Sequence, residues 1–302
     1  MQYDFVIVDV FTDSQFGGNQ LAVVLDAQGL TAAQMQAVAR EFNFAETTFV
    51  LPAQDAGNTA RLRIFSPGSE MPFAGHPTVG SAAVLVRHGL AGGTGTTSSE
   101  VVFEEEVGPV RVTVRNDKRG LYSELALEAE LDRPSERPDT AALARALSLP
   151  VEAVHDVWFA GVGLPFCFCQ VATAADVDAA VLDKAALTAA VGGGWAHHVF
   201  FFAGELVDGG DVYARMFAPS LGIDEDPATG SASAALVGCL AVNAGNPDAA
   251  PTLTIRQGFA MGRPSVIQAA ALMEDGRLRR VTVGGHVVEF ATGRLEVPSA
   301  ES

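Results

Sequence analysis

Cysteine is scarce in this chain, with three in 302 residues. That number builds no disulfide framework and is the usage of a protein kept in a reducing cytoplasm. Basic residues are also in short supply: 19 Lys and Arg stand against 36 Asp and Glu, a formal charge of −17. A nucleic-acid binder presents a basic face, so that class is set aside. Long hydrophobic runs are missing too. The longest strongly apolar stretch, Ala234 to Val242, contains a glycine and is too short to cross a bilayer. Asp4 and Asp9 stand where a secretory signal needs a basic start and an apolar middle, so no signal and no membrane partner are expected. Charged residues amount to 18% against 48% hydrophobic, the reverse of a disordered composition. An acidic, cytoplasmic, globular protein remains, of one large domain or two of about 150 residues each.

What is present is a repeat. Arg63-Ile64-Phe65-Ser66-Pro67 returns as Arg215-Met216-Phe217-Ala218-Pro219, 152 residues later. His76-Pro77-Thr78-Val79-Gly80-Ser81-Ala82 returns as Asp226-Pro227-Ala228-Thr229-Gly230-Ser231-Ala232, 150 residues later. A period of half the chain predicts two similar lobes rather than a solenoid. We expect residues 1–120, completed by 288–302, to form the N-terminal lobe and residues 121–287 to repeat it.

Each lobe reads as strands followed by a well-marked helix. Phe5–Val10 and Leu21–Leu25 are apolar, valine-rich strands around the turn Gly17-Gly18-Asn19. Thr31 to Arg40 predicts a helix capped by Thr31. Strands over Thr47–Leu51 and Arg61–Phe65 precede a helix over 77–88. The second lobe repeats the order, with strands at 156–159, 166–171, 199–202 and 212–217, a helix over 176–190 and another from Pro227. Val110 to Leu127 predicts a hairpin. Gly92-Gly93-Thr94-Gly95 is a loop without the lysine ending of a phosphate loop. Glu104-Glu105-Glu106 reads as a solvated edge.

The two copies share a polar residue followed by proline at a helix start, His76-Pro77 and Asp226-Pro227. Proline suits the first helical position, which makes the preceding residue the cap. Free N–H groups and the positive end of the helix dipole collect there, and two such starts facing each other across a cleft would suit a small carboxylate. Asp226 reads equally as a plain N-cap; histidine is a poor cap, which favours function at His76. Glu46, among Phe42, Phe44, Ala45 and Phe49, is either a strand start with its side chain in water or a general acid/base tuned by apolar surroundings.

Gly17-Gly18-Asn19, Glu46-Thr47-Thr48-Phe49-Val50, Pro72-Phe73-Ala74-Gly75-His76-Pro77-Thr78, Glu225-Asp226-Pro227-Ala228-Thr229-Gly230-Ser231-Ala232 and Gln257-Gly258 with Met261-Gly262-Arg263-Pro264-Ser265 together resemble the PhzF-like family of phenazine biosynthesis. The resemblance implies an α/β (α+β) diaminopimelate-epimerase-like fold, two pseudo-symmetric lobes that each curl a sheet around a central helix. It implies an isomerase without metal or cofactor that moves a proton on a small, hydroxylated, possibly dihydroaromatic carboxylic acid. Glu46, His76 and Asp226 match the catalytic positions; Asn19, Gly75, Thr229, Gly230 and Ser231 match substrate-binding ones. Analogy further implies a homodimer.

Rival readings differ in class. One is a binding or interaction protein that kept the fold and lost turnover. Another is an amino-acid epimerase or racemase, which in this fold uses two cysteines at the facing helix starts. Cys167 and Cys169 instead share one face of an apolar strand and Cys239 lies in a helix, a core pattern without ligand spacing for zinc. His197 and His198 point to opposite faces of a strand. His155 and His286 show no partner in the sequence, and His88 falls near a helix C-terminus.

Overall fold

Valine-rich alternation at the start of the chain produces the first strand pair. The structure, a computed structural model, describes residues 1–92, 98–128 and 130–299. Gly93, Thr94 and Gly95 of the expected loop, and residues 300–302 of the expected C-terminal segment, lie outside them. β1 (Gln2–Val10) and β2 (Asn19–Val24) pair antiparallel with Val10 opposite Asn19. Gly18 between them has φ +63°, and a Cβ there would lie 2.3 Å from the Val10 carbonyl oxygen, so the turn requires glycine. α1 (Ala32–Phe42) starts as expected. The Thr31 hydroxyl accepts from the Gln34 N–H at 3.2 Å, and the Gln34 side chain accepts from the Thr31 N–H at 2.9 Å.

Two compact units divide the chain, residues 1–126 with 284–302 and residues 127–283. In the first, β2 runs parallel to β3 (Glu46–Leu51), which pairs antiparallel with β4 (Ala60–Phe65). A short β5 (Glu70–Met71) pairs with β4 and leads into α2 (Gly75–Arg87). β6 (Ser98–Glu105), β7 (Gly108–Asp117) and β8 (Gly120–Glu128) follow, with the expected hairpin between the last two. The chain's final strand, Arg277–Glu296, pairs with both β8 and β1 and closes an eight-stranded barrel. α2 is the axle of that barrel: every residue from His76 to Leu85 is buried. A helix buried all round must be small or apolar all round. Gly80 shows why, since a Cβ would come within 2.7 Å of Leu21 and Val10. α1 covers the outside through Met35 and Ala39, packed with Phe49 and Phe65.

The second unit opens with α3 (Thr140–Ala146), β9 (Val154–Val162) and β10 (Leu164–Val171). α4 (Ala174–Ala179) and α5 (Lys184–Val191) follow, then β11 (Val199–Ala203), β12 (Gly210–Ala218) and β13 (Ile223–Asp226). α6 (Gly230–Asn243), β14 (Thr252–Gln257), β15 (Ser265–Glu274) and the start of β16 (Arg277–Glu296) complete it. The pairings repeat those of the first unit in order and sense. β9–β10 is antiparallel like β1–β2, β10–β11 parallel like β2–β3, and β12–β14 parallel like β4–β6. α6 is buried from Gly230 to Ala241, save for half-buried Ser231, and packs against β9, β10, β14 and β15, so this sheet too wraps its helix.

The single helix expected over 176–190 is two. Ala180 is extended, and Asp183 caps α5 by accepting from the Ala186 N–H at 2.9 Å. The Arg215 guanidinium donates to the carbonyls of Val177 and Ala180 at 3.0 and 2.8 Å, ending α4 from a distant strand. No helix among the described residues is long and apolar enough to cross a membrane.

Candidate active site

In the first unit, the parallel register of β2 and β3 sets Leu21 across from Glu46. Glu46 is the first residue of β3 and is buried, so the water-exposed alternative is set aside. α2 begins at Gly75 with Ala74 as its N-cap, and the Thr78 N–H makes the first helical bond to the Ala74 carbonyl at 3.3 Å. His76 therefore lies inside the first turn and does not cap it, a correction to the proline-based reading. Pro77 still costs nothing, because its position is among the first four whose N–H has no helical acceptor.

That placement buries the His76 ring and brings its Nε2 to 3.4 Å from Glu46 Oε2. Burial pushes the His76 pKa down to about 3, against a weaker upward pull from a hydrogen bond to the Gln20 backbone. The imidazole is thus neutral near pH 7, and the contact with Glu46 is not an ion pair despite its geometry. Asn19, next to Gln20 at the head of β2, is buried as well. A Cβ on Gly75 would meet nothing within 4 Å, so the backbone there is approachable. Asn19, Glu46, Gly75 and His76 all belong to this unit.

Behind the same helix start sits a residue that the charge pattern misplaced. Glu105 is buried, not part of a solvated edge. The Thr78 hydroxyl lies 2.7 Å from Glu105 Oε1 and 2.8 Å from the Ala74 carbonyl oxygen. Burial, opposed by the Thr78 contact, pushes the Glu105 carboxyl up to about 8. One hydroxyl hydrogen cannot serve two acceptors, and a protonated Glu105 supplies the second hydrogen. His286 likewise has a partner, Asp117, at 3.0 Å.

In the second unit, Asp226 ends β13 opposite Met216, and α6 starts only at Gly230 with Thr229 as N-cap. Asp226 is therefore not the N-cap and Pro227 is not the first helical residue. The reason is tertiary: the 226–229 turn is tied down by Gln257 at the end of β14. Gln257 Nε2 donates to the Asp226 carbonyl at 2.7 Å and to Thr229 Oγ1 at 2.9 Å, and its Oε1 accepts from the Thr229 N–H at 3.1 Å. Thr229 Oγ1 donates to Asp226 Oδ2 at 2.6 Å. Gly230 is buried and Ser231 half-buried in the first turn of α6. Glu225, beside Asp226, is gripped by Arg215 at 2.8 and 2.9 Å. Arg63 grips Glu70 on β5 in the same bidentate way, at 2.6 and 2.7 Å. The repeat in the sequence shows both arginines but not their glutamates.

Other candidates carry no chemistry here. Cys167 and Cys169 are buried in the outer core of the second unit, and burial raises both thiols, Cys169 to about 12. Such thiols are not the thiolates a two-cysteine racemase needs. Among the described residues no group of His, Cys, Asp and Glu is arranged to hold a metal ion. Surface cavities of about 340 and 530 Å³ are lined by Gln54, Asp55 and Glu105 in one case and by Glu128, Glu274 and Arg280 in the other; neither lining includes Glu46, His76 or Asp226.

Comparison with known proteins agrees with this fold. The family described as phenazine biosynthesis-like protein matches residues 8–293. An uncharacterized isomerase of Mesorhizobium japonicum is 39% identical over 97% of this chain and 98% of its own length. A trans-2,3-dihydro-3-hydroxyanthranilate isomerase of Pseudomonas chlororaphis is 33% identical over 97% of this chain and 99% of its own. A crystal structure of a phenazine biosynthesis protein of the PhzF family from Bacillus anthracis superposes with a TM-score of 0.83, covering 98% of this chain and all of that one, at 21% identity, and shows the shared fold. The architecture is thus the α/β diaminopimelate-epimerase-like class that the repeat and motifs imply. With a family match running through both units and near-full-length relatives bearing isomerase names, the chain belongs to the phenazine biosynthesis-like, PhzF-type family of isomerases.

Proposed function

We propose that this isomerase moves a proton on a small hydroxylated carboxylic acid by general acid/base catalysis, without metal or cofactor. The carrying observation is the buried contact between Glu46 and a neutral His76 at the start of α2. Glu46 takes a proton from an sp³ carbon flanking a double bond; the double bond shifts; the same carboxyl returns the proton two carbons away on the same face. No electrons leave the substrate and no co-reactant is consumed. His76, neutral and tied to the Gln20 backbone, lies 3.4 Å from the Glu46 carboxyl without ion-pairing, so it can orient the substrate beside Glu46 without locking the carboxylate into a salt bridge. In the second unit Asp226, Thr229 and Ser231 are assigned to substrate polar groups, and the backbone at a helix start, Gly75 in the first unit or Gly230 in the second, suits an acid. Asn19 completes the binding set. A protein of −17 net charge repels anions at long range, so attraction of a carboxylate must be local. Cytoplasmic location and a homodimer belong to the same proposal.

The substrate named for the Pseudomonas relatives supplies the probe. Incubation of trans-2,3-dihydro-3-hydroxyanthranilate in deuterated water is expected to give isomerisation, and Glu46→Gln is expected to lower its rate by about 10²–10⁴-fold with the fold intact. Undiminished turnover by Glu46→Gln removes Glu46 from the mechanism. Binding of the acid by the wild type without any proton exchange would favour a binding protein instead.

A further inference from the structure

We infer that Gln257 is a positioning residue for this reaction: its carboxamide sets the direction of the Thr229–Asp226 hydrogen bond and so fixes the Asp226 carboxylate at the start of α6. The inference rests on the proposed role of Asp226 in holding substrate. Gln257 is fully buried. Its amide orientation is dictated by two backbone partners whose roles cannot be exchanged. The Thr229 N–H can only donate, which makes its partner at 3.1 Å the Oε1; the Asp226 carbonyl can only accept, which makes its partner at 2.7 Å the Nε2. The second Nε2 hydrogen then points to Thr229 Oγ1 at 2.9 Å. That hydroxyl, already an acceptor, spends its own hydrogen on Asp226 Oδ2 at 2.6 Å. The sequence Gln257 to Thr229 to Asp226 therefore runs one way and ends in a donor aimed at a carboxylate oxygen.

The neighbouring residue shows that the cradle is built and not incidental. Gly258 has φ +79°, and a Cβ there would lie 2.7 Å from the Pro227 carbonyl oxygen and 2.3 Å from that of Arg263. The end of β14 is thus pressed against the Asp226-Pro227 turn at a position where only glycine fits.

Two near-isosteric changes test this. Gln257→Glu keeps an acceptor for the Thr229 N–H and removes at least one of the two donors; Thr229→Val keeps the shape and removes the relay. Initial rates with trans-2,3-dihydro-3-hydroxyanthranilate, thermal melts and crystal structures of both variants and of the double variant are the readouts. Displacement of a positioned group by an ångström lowers rates by about 10²-fold, so each single variant is expected to lose kcat/KM on that scale. The double variant is expected to lose no more than the worse single, because both changes cut one chain. Folded variants within about twofold of wild type, or losses that multiply, overturn the inference; a purely structural Gln257 would show additive falls in Tm with rates unchanged. If Gln257→Glu does not fold, the Asp226 carboxylate in the Thr229→Val crystal decides: displaced supports the relay, unmoved overturns it. If the wild type turns nothing over, the proposed function fails, and the position of that carboxylate in the same crystal still decides in the same way.

Discussion

Replacing Glu105 with glutamine is expected to flatten the pH dependence of this protein's stability on its alkaline side. Glu105 is buried behind the start of α2, and burial raises its carboxyl from an ordinary 4.5 to about 8. Below pH 4.5 the group is protonated in folded and unfolded chains alike and contributes nothing to the pH dependence. Between 4.5 and about 8 the folded protein holds a proton that the unfolded chain has released, so stability falls as pH rises. Above about 8 the folded protein is ionised too, and the full loss is present. At about 1.4 kcal/mol per pH unit the interval from 4.5 to about 8 amounts to about 5 kcal/mol. Glutamine mimics the neutral acid: its amide can donate to Thr78 Oγ1, leaving the Thr78 hydrogen for the Ala74 carbonyl. The assay is urea unfolding of wild type and Glu105→Gln between pH 4.5 and 9, with the slope on denaturant held equal as a check on the end states. The two should have similar stability at pH 4.5 and diverge by several kcal/mol by pH 9, with the variant more stable. Repulsion within a chain of −17 net charge acts on both proteins and cancels in the difference. Parallel curves, or a variant that is the weaker one at pH 9, would refute the buried neutral acid.

His76 acts in the opposite direction: its pKa of about 3 in the folded protein lies below the ordinary 6.5, so stability is lost as pH falls from 6.5 toward 3. Nitrogen NMR of the ring is expected to show a neutral imidazole throughout pH 5–9, and a protonation midpoint inside that window would contradict the site. The two Arg–Glu clamps should differ in strength. Arg215→Met strands a half-buried carboxylate and two carbonyls and is expected to cost about 3–5 kcal/mol in chemical denaturation. Arg63→Met, whose partner Glu70 is more than a third exposed, is expected to cost within about 1 kcal/mol. Equal costs would show that burial does not set them.

How much of this was legible in the sequence depends on how far away the deciding atoms lie. Thr31 and Gln34 decide the start of α1 between themselves, and the sequence alone locates that start within a residue. The break between α4 and α5 is decided by Arg215, more than 30 residues on, and no periodicity within 176–190 contains it. The starts of α2 and α6 fail for the same reason. Proline marks a position that tolerates a missing N–H, but the first helical bonds run to the carbonyls of Ala74 and Thr229, and a glutamine on another strand holds the second turn. Glu105 looks solvated because its neighbours in sequence are acidic, whereas its neighbour in space is a helix threaded through a barrel. Glu46 and His76 were visible as residues; their 3.4 Å approach follows from the β2–β3 register and the first turn of α2.

The repeat also shows where the two copies part. Both units build a sheet around one helix, both anchor the short strand before it with a bidentate arginine, and the parallel strand pair ahead of that arginine matches in register. At the residue that enters the second strand of that pair the copies diverge: Glu46 precedes Thr47, which pairs with Phe65, while His198 precedes Val199, which pairs with Phe217. A pair of equivalent acids would suit a reaction that removes a proton on one face and delivers it on the other, as racemases do. One carboxyl group, with a histidine and no carboxylate at its counterpart, suits a reaction in which the same group removes and returns the proton. Such a reaction needs the substrate held still while its proton resides on the enzyme. The proposed division of labour follows, with Glu46 and a neutral His76 moving the proton in the first unit. In the second, Gln257 and Thr229 commit their hydrogens to keeping Asp226 where it is.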